Sequence, residues 1–440
     1  MVKRCVALSA ALILGAAASA GAQTAASPGL ATLIERTFGA NGLVVDSEAR
    51  LPDGSTHSGH FNSGFQSDFR QFNTALAGQL TSLPLPSPAS GLTYHFDEST
   101  GTFVRSTQSF GPILADRAET IGKGRLSFGY NYQYFSFDAL EGMDLKRIPA
   151  VFTHDDFQLG GGRSDVVTTT NAIEASVGQF TGVLTYGVTD RIDVSAAIPT
   201  IRTQLAIRST AEIQRVGTGA NTLVHFFRAD TGSIGDRKEF GASGSATGLG
   251  DVVLRVKGTA VRGGRSGLAV GLDARLPTGD EKELLGAGAA GLKPFAALSM
   301  TLGRLSPHVN VGYQWNGDSV LAGDVDSSVK GDLPDRFLIG AGGDMGVGAR
   351  VSVAIDILAE RVSHSARLIG TPFTASGQAG TFVFDDLGFR ESAFWAANGT
   401  AGIKVKVAAN LLAYLNLTFR IGNNGLTTRV APLLGFEYGF

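Results

Sequence analysis

The chain has 440 residues, 59 of them glycine, with 17% charged and 43% hydrophobic side chains. Glycine at nearly twice its usual share of about 7% excludes a long-helix protein, and this apolar content excludes a disordered one. A net charge of −2 excludes a globally basic surface for nucleic acid.

Lys3 and Arg4, the apolar run Val6 to Gly15 and the small residues Ala16 to Ala22 have the order of a secretory signal peptide, with a cut predicted after Ala22. Cys5, the one cysteine, falls inside it, so the exported chain needs no disulfide. Residues 23–115 are expected to form a plug or a periplasmic segment. Leu30, Leu33, Ile34 and Phe38, then Phe65, Phe69, Phe72, Leu76 and Leu80, have helical spacing and predict two short amphipathic helices. Leu83 to Pro88 alternates proline and predicts a stiff linker, followed by a hairpin of 92–96 and 102–105.

From about Lys123 apolar and polar residues alternate repeatedly, as in Leu126, Phe128, Tyr130 and Tyr132 against Ser127, Gly129 and Asn131. Period two means strands with one apolar and one polar face. Twelve are predicted, near 123–135, 168–187, 191–213, 249–261, 267–277, 291–302, 305–316, 335–345, 350–364, 395–407, 411–421 and 428–440. The links alternate between tight turns and long loops at 136–167, 214–248, 278–290, 317–334 and 365–394, which is the plan of an outer-membrane antiparallel β-barrel across residues 116–440. Fourteen strands would result if part of 136–167 or 365–394 paired. Tyr132, Tyr134, Tyr313, Trp315, Phe394 and Trp395 are expected at the long-loop interface, and Tyr186, Tyr438 and Phe440 at the other.

Charge cannot face acyl chains cheaply, so the polar faces are assigned to the lumen. These candidates are Arg125, Asn131, Asp193, Asp251, Arg255, Lys257, Asp273, Arg275, Asn310, Gln314, Lys404, Lys406, Asn416 and Arg420. Both signs occur, so neighbours can neutralise one another and no single-sign selectivity ring is expected. Phe436, Tyr438 and Phe440 end the last strand on one face and resemble a C-terminal signal read by the barrel-insertion machinery.

Chemistry is scarce. His57 and His60 are three apart without a third ligand nearby, and a polar turn accounts for them better than a metal site. Only His308 is placed on a barrel strand, with the wrong facing for a barrel lipase; His154, His225 and His364 are placed in or beside loops. Gly241 to Ser245 lacks the last glycine of a nucleophile elbow, and Gly286, Gly288 and Gly291 match GxGxxG without a βαβ unit. Asp324, Asp326 and Asp332 read as a solvated acidic loop before they read as a weak calcium site. No catalytic group, metal or cofactor is expected.

Tyr186-Gly187-Val188-Thr189-Asp190-Arg191-Ile192-Asp193-Val194, Gly248-Leu249-Gly250-Asp251-Val252 and Leu276-Pro277-Thr278-Gly279-Asp280, with Asn310 to Tyr313 and Gly317-Asp318, resemble a bacterial outer-membrane transporter family labelled a meta-pathway phenol-degradation protein. The resemblance covers about 120–440 and implies a distant likeness to FadL-type transporters, which carry an N-terminal plug. The function implied is passive uptake of small hydrophobic or aromatic solutes across the outer membrane of a Gram-negative-type bacterium, with the lipid bilayer as partner. The alternatives are a structural or adhesive barrel with partner-binding loops and, further off, a barrel lipase. The sequence leaves oligomeric state open.

Overall fold

The computed structural model describes residues 29–39, 42–50, 61–62, 70–82, 94–97, 102–105, 109–154, 165–219 and 221–440. The signal-peptide region, Phe65, Phe69, the proline linker, His57 and His60 lie outside the described residues.

Twelve strands close into an antiparallel barrel. The wall runs β1 (Leu126–Leu140), β3 (Val166–Gly187), β4 (Ile192–Gln214), β6 (Val252–Arg262), β7 (Ser266–Leu276), β8 (Gly291–Met300), β9 (Leu305–Asn316), β10 (Arg336–Gly346), β11 (Val351–Gly377), β12 (Gly380–Ala408), β13 (Leu411–Arg420) and β14 (Val430–Gly439). The last strand returns to the first: Phe436 pairs with Tyr130 and Tyr438 with Phe128. Closure leaves no open edge, which is the only way a sheet can satisfy its backbone in lipid.

Side-chain burial follows the period-two pattern. Outward residues such as Leu254, Val256, Ile355 and Leu434 are exposed, Ile355 to 65%, while their inward neighbours Arg255, Lys257, Asp356 and Leu433 are buried. The interior holds Lys404, Gln133 and Asp344 almost without solvent contact. An apolar outside around a polar inside is a transmembrane wall, not a soluble sandwich. On β11 the belt runs from Val351 to Ala359, a height of roughly 20 Å once strands tilt by about 40°.

Two of the expected long loops are not loops. Residues 237–249 form β5, paired with β4 from Arg237↔Glu212 to Leu249↔Thr200, and β6 continues the same line after Gly250 and Asp251. Residues 365–394 are the upper halves of β11 and β12, paired from Ser365↔Ser392 to Gly377↔Gly380 above a bulge after Val362. The pairing lengthens wall hairpins instead of adding wall strands, so the number stays at twelve. Above the belt the faces exchange character: on β4 the outward side turns from Ile192, Val194 and Ile198 to Thr200, Arg202, Gln204 and Arg208, while Ile201, Leu205, Ile207 and Ile213 are buried inward. Part of 136–167 also pairs, as β2 (Ile148–His154) against β3. His154 and His364 therefore lie on strands, His364 at the bulge with φ of 47°.

Of the two expected N-terminal helices, the first is a single 3-10 turn at Leu30–Thr32 that continues as turns to Phe38. The second is α1, Arg70–Ser82. The predicted hairpin is present, Tyr94–Asp97 paired with Thr102–Arg105.

Candidate functional site

Residues 109–122 form a strap inside the barrel, near the end with the short turns. It has no sheet partner; side chains of the wall hold its backbone. Ser352 accepts the Phe110 N–H at 2.9 Å, Asn310 accepts that of Asp116 at 2.7 Å, Ser299 that of Ala118 at 3.1 Å and Asp193 that of Ile121 at 3.0 Å. In the other direction, Lys404 donates to the Phe110 carbonyl, Asn310 to Asp116, Thr259 to Ala118, and Lys257 to both Arg117 and Glu119. Glycines thin the wall where the strap passes. A Cβ on Gly402 would meet Ile113, and one on Gly187 would strike the Gly122 carbonyl. Two ion pairs clamp the strap: Arg117 to Asp344 at 2.5 Å, and Asp116 to Arg255 at 2.9 Å. Asp344 lies 3.6 Å from His308, whose other nitrogen is 2.6 Å from Asp356.

The inward candidates sort by what they hold. Asp193, Arg255, Lys257, Asn310 and Lys404 grip the strap. Arg255 also makes two hydrogen bonds to Asp273, at 2.6 and 2.8 Å, and its guanidinium lies 4.7 Å from the Phe295 ring. Phe295 in turn covers Gly271, where any side chain would displace it. Asp251 accepts the N–H groups of Gly279 and Ala287, and Arg275 donates to the Ala289 carbonyl and to Asn316, which draws the 278–290 link inside the barrel. There Leu284, Leu285 and Ala287 are buried. Gln314 donates to Asn316, Asn131 to the Thr181 carbonyl, and Arg420 to Asp138 and Thr427. Asn416 is buried beside Gly402, while Arg125 and Lys406 are half-buried near the short turns.

Helix α1 lies across the interior on the long-loop side. Phe72, Leu76 and Ala77 are buried, and Asn73 donates to the Ala31 carbonyl, Thr74 to Leu321 and Gln79 to Leu426. Gly78 faces the Arg336 guanidinium with no room for a Cβ. Between helix and strap is a cavity of about 320 Å³, at the lower end of the range for small-molecule sites. Thr74 and Gln79 line it from the helix side, Leu114 and Asp116 from the strap. Phe135, Phe137, Phe295, Phe389 and Phe394 give it aromatic walls. Phe394 was expected in the outer girdle, but it points inward against Arg367, and Trp395 takes the outward position at 48% exposure. Two adjacent aromatics on a strand cannot share a face.

The charges around the cavity are matched. Asp273 pairs with Arg255 and with Lys293 at 2.9 Å, Glu360 with Arg336 at 2.7 Å, and Glu141 with Arg367. Asp251 faces Arg275 at 3.7 Å.

A second buried cluster, missed by sequence reasoning, lies beyond the belt. Asp165 accepts from the N–H groups of Gly217 and Thr218, the Thr218 hydroxyl and His225 at 2.7 Å. Burial alone raises this carboxyl, but those donors outweigh it and hold the pKa well below the usual carboxylate range. The partners are some 50 to 60 residues apart in sequence, with no motif to announce them. Among the described residues no group of three or more metal-ligating side chains occurs. Asp326 of the acidic 324–332 region pairs with Arg36, and Asp324 accepts the Ser327 N–H.

Residues 153–348 match the family model described as "Putative MetA-pathway of phenol degradation". The family resemblance holds over that segment. No curated protein sequence matches the chain. Similar solved structures include an outer membrane channel from Pseudomonas putida F1, at 14% identity, covering 75% of this chain and 100% of that one, TM-score 0.45. A Pseudomonas aeruginosa FadL homologue covers 80% and 94% at 10% identity, TM-score 0.30. The CymD monoaromatic hydrocarbon channel covers 72% and 89% at 8% identity, TM-score 0.34. All three fall below a TM-score of 0.5, too distant to transfer a function. The closed twelve-strand wall with its lipid-facing belt makes the chain an outer-membrane barrel in its own right.

Proposed function

We propose that this barrel is a passive, non-enzymatic channel for small, uncharged hydrophobic or aromatic solutes, with α1 and the strap as its internal plug. One observation carries the reading: an aromatic-walled cavity lies in the lumen between a helix and a strap that are both held by side-chain contacts and not by sheet pairing. Aromatic walls favour a flat apolar body through stacking and edge contacts. The carboxylates and cations around the cavity are neutralised by each other, so a charged solute finds no counter-ion without breaking a pair, which costs several kcal/mol. Asn398 on the cavity wall offers its side-chain amide to orient a hydroxyl or carbonyl. Because each bond holding the strap is a separate side-chain contact, the strap can leave without opening the wall. In this reading Phe436, Tyr438 and Phe440, exposed on the outward face of β14, serve insertion.

The test uses a disulfide. A Cβ on Gly267 would lie 3.0 Å from that of Ala118, so an outward shift of the strap by less than about 1 Å brings the pair to the roughly 3.8 Å of a disulfide. Ala118→Cys with Gly267→Cys should pass a neutral aromatic into liposomes when reduced and stop passing it when oxidised. Equal flux in both states would reject the plug; no flux in the wild-type barrel would reject the channel.

One observation favours the alternative of a partner-binding barrel. The β11–β12 hairpin rises far above the belt and exposes Phe382 and Val383, the latter at 65%. Normal solute uptake by cells lacking the protein would support that alternative.

A further inference from the structure

The short-turn rim has a charge pattern that solute passage does not use. Lys123, Arg191, Arg262, Arg265, Arg304 and Arg350 are all exposed there, against one exposed carboxylate, Asp190, among the described residues of that rim. The whole chain is slightly acidic, so this is a local concentration. Its arrangement follows the circumference. Arg191 follows β3, Arg262 and Arg265 bracket the turn after β6, Arg304 the turn after β8, and Arg350 the turn after β10, with Lys123 ahead of β1. The Arg262 guanidinium donates to the Asp190 carbonyl, whereas the side chains of Arg191, Arg265, Arg304 and Arg350 have no ion-pair partner among the described residues.

Four of the six cations closely follow or precede exposed aliphatics of the lipid belt. Arg191 precedes Ile192, Arg262 follows Val261, Arg304 sits between Leu302 and Leu305, and Arg350 lies three residues after Val347; these aliphatics are 41 to 57% exposed. A long stem on apolar surface with its charged head at the water boundary is the snorkelling geometry of an interfacial cation. We infer that this rim binds the phosphodiester head groups of anionic phospholipids in the leaflet that meets the short turns. A soluble acidic protein docking end-on would be recognised by charge at the centre of the face, over the strap; here the charge surrounds the perimeter, where lipid is the neighbour. Attraction of a Lys or Arg to an anionic leaflet is worth roughly a factor of five per residue near the surface.

The experiment measures lipid retention by the full-length protein in mixed micelles of phosphatidylglycerol and phosphatidylcholine, read by native mass spectrometry. Phosphatidylglycerol should be retained in preference, on the order of tenfold or more. Combining Arg191→Gln, Arg265→Gln, Arg304→Gln and Arg350→Gln should abolish the preference, and replacing the same four by Lys should keep it. Folding of each variant is read separately by the heat-dependent shift in electrophoretic mobility. If the fourfold Gln variant does not fold, Arg304→Gln with Arg350→Gln should still lower the preference severalfold. Equal retention of both lipids by the wild type would overturn the inference. So would a preference that survives the Gln substitutions, or displacement of phosphatidylglycerol by soluble polyglutamate, which would assign the rim to an acidic protein.

Discussion

Arg117 and Asp344 are both nearly without solvent contact, and each is costly to leave alone. Arg117→Met strands Asp344 beside His308 and releases the middle of the strap. It should lower stability by about 3–5 kcal/mol, measured by urea unfolding of the folded barrel, and raise flux of a neutral aromatic. Gly271→Val acts without charge: it pushes Phe295 off its seat and into the cavity, so flux should fall while the barrel still folds. Asp165 makes the pH-dependent prediction. Its folded pKa lies below the unfolded value of about 3.9, so its contribution is complete above that value and disappears as pH falls towards the folded one. The stability difference between wild type and Asp165→Asn should therefore grow as pH rises from about 2 and be flat above about 5. A difference that instead grew with acid would show that the donors from Thr218 and His225 do not govern this carboxyl.

At the scale of elements, wall and extension separate at the bulge after Val362. Replacing residues 366–390 by a short turn removes the pairs above the bulge along with Arg367, Asp386 and Phe389, but no belt pair, so the barrel should still fold and show its heat-dependent mobility shift. The same division explains what the sequence revealed. Within the belt one face must meet lipid, so alternation such as Val351, Val353, Ile355 and Ile357 is enforced and all twelve wall strands were legible. Above the belt the apolar residues turn inward, and β5 sets only Phe240, Ala242 and Ala246 against Gly241, Ser243 and Ser245, too weak an alternation to announce a strand. The polar faces could be assigned inward from the cost of charge in lipid, but their partners could not be named. Asp116 meets Asn310, and Lys257 meets the Arg117 carbonyl, because of closure between distant strands. The strap itself has neither the length nor the periodicity of an element. Ser109-Phe110-Gly111-Pro112 announces only that a helix is unfavourable there.

The whole molecule is polar from end to end as well as from inside to out. One rim carries Arg191, Arg265, Arg304 and Arg350 almost without carboxylates, while the opposite end mixes Asp280, Asp324, Asp326 and Asp332 with Arg36, Arg237, Lys238 and Lys330. Long-range steering weakens as salt shortens the Debye length to about 8 Å at physiological ionic strength. Flux of a neutral aromatic should therefore be nearly independent of salt between 0.05 and about 0.5 M, and that of its carboxylate analogue should stay low throughout. Fast carboxylate flux would show that the paired charges in the cavity open for a ligand.

The raised hairpins have a consequence for how the cell surface presents this protein. A protease needs several residues of unpaired backbone to thread its cleft, and residues 237–249 and 365–392 offer paired sheet instead. Trypsin applied to intact bacteria should leave Arg237, Lys238 and Arg390 uncut, so that what a bacteriophage or an antibody meets there is a stiff collar of fixed shape.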